Sequence, residues 1–567
     1  MNMILVFAPI AAALISVLFG LVTLIRAGNS HVSNKKILDA GKDVEKKVRS
    51  YISREFNVLA VSVVILFVIL LYLLGWKISL TFLAGAVITI AVNLTNSILF
   101  ARAYSRIVED TRSNQINAAN IIFTLSGASS LFAFGAALVA SVITYVLSGD
   151  FVFLLSLTLG AILVEIISKL RFHGISDKNT EKIEINENDH TSGGLIGAVA
   201  GVSAAGVYFI SNLYSGTENS VYLSFLILGL GAIAMLIGVL ITRFRTDMKL
   251  GRLMLTFLII PSVLILVGSY FAVSWLIYGE GLHATINLSV SALAGLIAAF
   301  MLYISGYFIS QKYRLHGENY ILISNVISIV LAIAAILGIY TLNGYAGVSV
   351  FALALSAFLI PMMSQSRMLS TSSNAEFVRA ISGIEMETDK IKGAYDSTNV
   401  FRRSLADYPF YLAIIVNLLL FWVFIGRMGS SMLSANLSDP YLIAGIVLGG
   451  LAAYVLAMNL SGWVKQGIIV PIAILLALPA LSGLLLGASM SFGAVIGYVV
   501  VALILAAIND RVSISVSSIG LILGATLFSS LIKMAPSLRL KLIIGIALVV
   551  LILVYVVMSR MTKKEAK

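Results

Sequence analysis

The feature that most limits what this chain can fold into is a succession of apolar runs, each about as long as a bilayer is thick. They fall near 3–25, 57–76, 78–100, 119–147, 151–170, 193–213, 221–242, 253–278, 285–310, 320–342, 345–365, 405–426, 440–463, 466–487, 490–508, 514–532 and 540–558, seventeen in all. A hydrocarbon core of about 30 Å takes about 20 residues of helix, and none of the runs shows the alternation of a membrane β-strand. The expected fold class is therefore all-α, a polytopic transmembrane helix bundle of about 16–17 spans forming a single domain over 1–567. With 59% apolar and 11% charged residues, the chain has no stretch that could build a sizeable soluble domain. No basic residue precedes the first run, so 3–25 reads as a span rather than a cleaved leader.

The formal charge of +12 matters here through its placement. With the amino terminus outside and strict alternation, all but five of the 38 Lys and Arg residues fall inside, the exceptions being Lys77, Arg427, Lys533, Arg539 and Lys541. Lys and Arg bias sets orientation, so the split predicts an outside amino terminus and a cytoplasmic carboxyl terminus in an unspecified cell membrane. No basic cluster resembles a nucleic-acid footprint, and the lipid bilayer is the partner that composition implies. The absence of cysteine excludes disulfides, thiolate metal sites and a cysteine nucleophile.

Three longer segments, 27–56, 171–190 and 367–404, are expected on the cytoplasmic side. The first places Ile37, Val44, Val48, Tyr51 and Ile52 at helical spacing among charges, predicting an amphipathic helix on the membrane surface or on neighbouring spans. The second, with KNTEKIEINENDH, reads as a polar, flexible loop.

Nucleotide-binding, zinc-protease, nucleophile-elbow and EF-hand motifs are all missing, and the five histidines are too scattered for a metal cluster. Intramembrane charges are costly and few. Glu165 and Lys169 form an i, i+4 pair near a span end, read as an internal ion pair. In TDKIKGAYDSTNVFRRSLADY, Asp389, Asp396 and Arg403 recur every seven residues, and Lys392 and Asp407 fall on the same helical stripe. That stripe reads either as an ion path or as a solvated helix laced with salt bridges. In TSGGLIGAVAGVSAAG, the glycines Gly193, Gly197 and Gly201, followed by Ala205, form a small-residue face suited to close helix packing.

Several stretches resemble the membrane-integral pyrophosphatases, proton- or sodium-pumping enzymes in which sixteen spans enclose a magnesium-pyrophosphate site. LIRAGN at 24–29, AGLIA at 294–298 with GYFISQKY after it, GYAGVSVFALAL from Gly344, and DPYLIAGIVLGGL at 439–451 carry the likeness. The resemblance implies a homodimer and makes 540–558 a span added beyond the family's set.

The same alignment removes most of the family's carboxylates. His190, Gly194, Ala198 and Ala205 stand where the family motif has acids, and Ser366 and Ser373 stand where it has two aspartates. Thr388, Asp389 and Thr398 persist, but Lys392, Asp396 and Arg403 replace the family's Asp, Asn and Lys. Magnesium pyrophosphate needs several hard carboxylate oxygens and convergent cations. The expectation is therefore a non-catalytic homologue with a structural or regulatory membrane role, with no confident catalytic residue, no metal ligands and no cofactor. Two alternatives stay open. One is a pyrophosphate-energised pump with a rebuilt site, which would require magnesium; the other is an uncoupled transporter using the 389–407 stripe.

Overall fold

The computed structural model describes residues 3–29, 32–113, 115–171, 192–214, 219–244, 250–277, 281–316, 346–358 and 440–466, with scattered positions between 338 and 501. These residues form helices and short turns, with no strand among them. The elements are α1 (Met3–Gly28), α2 (Lys35–Leu74), α3 (Trp76–Ser113), α4 (Gln115–Ser148), α5 (Phe151–Arg171), α6 (Gly193–Leu213), α7 (Leu223–Phe244), α8 (Leu250–Ile277) and α9 (Leu282–His316), then α10 (Ala346–Ala357) and α11 (Pro440–Gln466). Each coincides with an expected span. The expected spans 405–426, 514–532 and 540–558, and nearly all of 320–342, lie outside the described residues.

Burial sorts the helices into a centre and a rim. In α6, 89% of the most apolar window is enclosed by protein, against 61% in α4 and α7 and 33–39% in α1, α3, α8 and α9. The rim helices turn large apolar side chains outward, including Phe7, Leu14 and Leu18 on α1 and Val263, Phe271 and Trp275 on α8. Such a surface suits lipid, and the chain is a multi-pass integral membrane protein.

Between membrane helices there is little hydrophobic driving force, so close packing and interhelical hydrogen bonds hold the bundle together. Glycines set the tightest crossings. A Cβ on Gly85 of α3 would collide with the Leu157 carbonyl of α5, and one on Gly160 with the Phe82 carbonyl. Buried hydroxyls are mostly satisfied within their own helix, as where Thr89 donates to the Gly85 carbonyl at 2.8 Å and Ser203 to that of Val199 at 2.7 Å.

Helix breaks follow local chemistry. Gly75, at φ 84°, separates α2 from α3, and Gly149, at φ 69°, separates α4 from α5, a conformation that costs glycine least. Asp150 then accepts from the Val152 backbone N–H at 3.0 Å and caps α5.

The amphipathic segment is continuous with the second span in the single 40-residue helix α2. It therefore leaves the membrane as an extension of that span and packs on neighbouring helices rather than lying flat. Asn34 caps it, accepting from the backbone N–H groups of Lys36 (3.0 Å) and Ile37 (3.4 Å). Ile37, Val44 and Val48 are buried in a second apolar cluster with Leu24 of α1, Phe100, Tyr104 and Ile107 of α3, Leu125 of α4, and Ala375 and Val378. The side chains of Tyr51 and Ile52 lie outside the described set.

Candidate functional site

At the Ser192 end of α6, the central helices α4 and α6 and the rim helix α3 bring polar side chains together. Ser126, Ser129 and Ser130 share one face of α4 by their i, i+3, i+4 spacing, and all three are fully buried. Asn93 and Asn96 come from α3. Ser192 precedes α6, and its hydroxyl makes no bond to its own helix. Its backbone N–H instead donates to Asn93 Oδ1 at 2.7 Å, while its Oγ accepts from Asn96 Nδ2 at 3.4 Å.

Arg367 closes this cluster. Its side chain is 1% exposed, the largest fully buried one described. Nη1 donates to Ser129 Oγ at 2.6 Å and to Ser130 Oγ at 3.5 Å, and Nη2 donates to Ser192 Oγ at 2.8 Å. One guanidinium thus joins α4 to α6. Positions 364, 367, 371 and 374 are helical, and their 3, 4, 3 spacing puts Ser364, Arg367, Thr371 and Asn374 on one buried polar face. Thr371 Oγ1 donates to the Arg367 carbonyl at 2.6 Å, and Asn374 Nδ2 donates to the Tyr104 hydroxyl at 3.0 Å. The face therefore runs from the central cluster to the one beneath α2.

Outside the membrane-spanning windows, charge pairing concentrates at the base of α2. Glu45 accepts from Arg49 at 2.8 Å and from Arg102 at 2.9 Å. Burial alone would raise its pKa, but the hydrogen bonds and charges of Arg102 and Arg49 outweigh it and hold the carboxyl below its ordinary 4.5. The Glu109 carboxylate accepts from the Ser33 backbone N–H at 2.8 Å, tying the start of α2 to α3.

The residues singled out from sequence separate into three groups. Gly194 is exposed, and a Cβ there would meet nothing within 4 Å. Ala198 and Ala205 are sealed in apolar packing, Ala205 against Phe209. Gly193, Gly197 and Gly201 are buried, and a Cβ on Gly197 would come within 2.6 Å of Ile162 on α5. His190, Ser366, Ser373, Asp389, Lys392, Asp396, Arg403 and Asp407 lie outside the described residues, as do the side chains of Glu165 and Lys169.

Arg367 escaped the sequence reading, which set it at the start of a cytoplasmic segment. Its signal was the 3, 4, 3 polar spacing just described, which continues a helix inward rather than ending it.

Magnesium, implied by the family resemblance, does not fit this cluster. The donors are hydroxyls, amides and a guanidinium, which has no lone pair to give, whereas magnesium demands hard oxygens with negative charge. No group of three or more His, Cys, Asp or Glu side chains converges among the described residues.

Comparison with known proteins agrees with the architecture. The family profile for inorganic H+ pyrophosphatase matches residues 14–178, which hold most of α1 and all of α2 to α5. A K(+)-insensitive pyrophosphate-energized proton pump of Methanosarcina mazei is 22% identical over 509 residues, covering 79% of this chain and 74% of the pump. In its helical architecture, in the match over residues 14–178 and in a likeness spread over most of its length, the chain is similar to the membrane pyrophosphatases.

Proposed function

We propose that this protein is a non-catalytic homologue of the pyrophosphate-energised pumps, serving a structural or regulatory role in the membrane. The observation that carries this reading is Arg367, whose guanidinium fills a hydroxyl-lined core beside α6. The family resemblance would have that helix present carboxylates. At Gly194 there is room but no acid, and at Ala198 and Ala205 apolar neighbours fill the space. Hydrolysis of pyrophosphate needs the developing phosphoryl charge neutralised by metal and positioned cations at once. A buried arginine can contribute charge, but it cannot hold the metal.

The test is magnesium-dependent pyrophosphate hydrolysis by the purified protein in detergent. The expected rate matches that of a control carrying Asp389→Ala and Asp396→Ala. Turnover clearly above that control would overturn the reading and restore the pump. If hydrolysis is absent, ion flux in liposomes that disappears on Asp396→Ala would favour the transporter alternative instead.

A further inference from the structure

One face of α2 is open in both halves of the helix. Successive helical residues turn by about 100°, which sets Lys35, Lys42, Lys46, Val64, Val68 and Leu71 within about 40° of a single line, and all six are exposed. The opposite face, with Ile37, Val44, Val48, Leu59 and Leu66, is buried. From Phe56 onward the open face is apolar and suits lipid. Before Phe56 it is basic, with Lys36 and Arg49 on its flanks.

Other charges at this end of α2 are paired. Lys47 meets Asp43 at 3.1 Å, and Arg49 and Arg102 share Glu45. The ion pairs among the described residues leave out Lys35, Lys36, Lys42 and Lys46, and also Asp39 on the same face. This arrangement costs the helix twice. Lys35 and Lys36 open α2, whose first turn has no acid, so two cations sit at the positive end of the helix dipole. Lys42 and Lys46 are like charges at i, i+4, where opposite signs would stabilise. Carboxylates supplied from outside relieve both.

A second copy of the chain presents the same lysines and is repelled. The bilayer surface lies too low: at about 1.5 Å per residue, Lys46 stands about 15 Å and Lys35 about 31 Å above Phe56, whereas the field of anionic lipids fades within about 8 Å of the headgroups. We infer that the Lys35–Lys46 face of α2 is a docking surface for an acidic helix of a partner protein, with carboxylates at i, i+4 and i+11, the spacing of Lys46, Lys42 and Lys35. Such a partner gives the proposed regulatory role a place to act. Binding is read without pyrophosphate, so its failure and that of the non-catalytic reading are told apart.

The full-length protein in nanodiscs of neutral lipid is titrated with a fluorescent helical peptide of about 20 residues carrying glutamates at i, i+4 and i+11, and with a scrambled peptide of the same composition. The striped peptide is expected to bind roughly fivefold more tightly than the scrambled one, and Lys42→Glu with Lys46→Glu to weaken it roughly tenfold. An equal change of charge in the carboxyl-terminal tail, Lys563→Glu with Lys564→Glu, should leave binding unaltered. Lys42 and Lys46 are exposed, so their variant should melt like the wild type, which separates a lost contact from a lost fold. No preference for the striped peptide, or an equal loss from the tail variant, would overturn the docking face. So would tighter binding of a polyuridylate strand through Lys42 and Lys46, which gives the face to nucleic acid. Tighter peptide binding on neutralising Glu184, Glu187 and Asp189 would overturn it too, by assigning the face to the chain's own acidic segment.

Discussion

Gly194 and Ala205 occupy comparable places in the alignment and opposite places in the structure. An aspartate at Gly194 has open space to enter and water to meet, while one at Ala205 would be driven into the packing against Phe209. Gly194→Asp is therefore expected to express and melt like the wild type. Ala205→Asp should lose roughly 2.5–3.5 kcal/mol, the cost of a carboxylate at the centre of a membrane helix. Thermal unfolding of both variants in the same detergent decides the matter, and equal destabilisation would show that the two positions do not differ as described. At Ala205 apolar neighbours fill the position, whereas at Gly194 nothing does. Arg367 makes the complementary point, since this one charged residue, not singled out in the sequence, joins Ser129 and Ser130 of α4 to Ser192.

Among the elements, α2 is where sequence and structure can be compared most closely. Its amphipathic spacing was legible from Ile37, Val44 and Val48, but whether it lay flat or stood upright was not. That depended on partners brought by α1, α3 and α4, which are distant in sequence. The glycine stripe of α6 was legible for the same reason of fixed period. The tighter α3–α5 crossing at Gly85 and Gly160 was not, because two lone glycines declare nothing until their helices are paired. The attachment of α2 to α3 has a pH signature through Glu45. Its folded pKa is depressed, so its contribution to stability is present above the ordinary 4.5 and is lost as pH falls through the folded value. Glu45 is partly exposed, so Glu45→Gln should cost only about 0.5–1 kcal/mol at neutral pH after screening. The difference in melting temperature from wild type should shrink as the pH is lowered below 4.5 and through the depressed folded value. A difference that stayed constant with pH would mean the carboxylate's charge is not what binds α2 to Arg102.

At the scale of the whole molecule, the order and type of the described helices followed from hydropathy alone, because a bilayer leaves so few ways to satisfy a backbone. The candidate site did not follow, since it is assembled from Ser129, Ser192 and Arg367, whose separations in sequence carry no period. The proposed orientation can be checked directly, for the chain has no cysteine to give a background. A membrane-impermeant maleimide should label Lys77→Cys in intact cells and Lys42→Cys only after permeabilisation, and the reverse pattern would invert the topology. One further consequence concerns α2, which runs for 40 residues without a proline. At about 1.5 Å per residue it is a rod of about 60 Å, twice the hydrocarbon thickness, so nearly half of it stands clear of the bilayer as a lever arm. A tilt of about 10° about the membrane edge would carry its amino-terminal end, with the ends of α1, α3 and α4 packed on it, sideways by about 5 Å and swing the embedded half with it. Anything that grips the charged base of this rod thus acquires mechanical purchase on a helix inside the membrane.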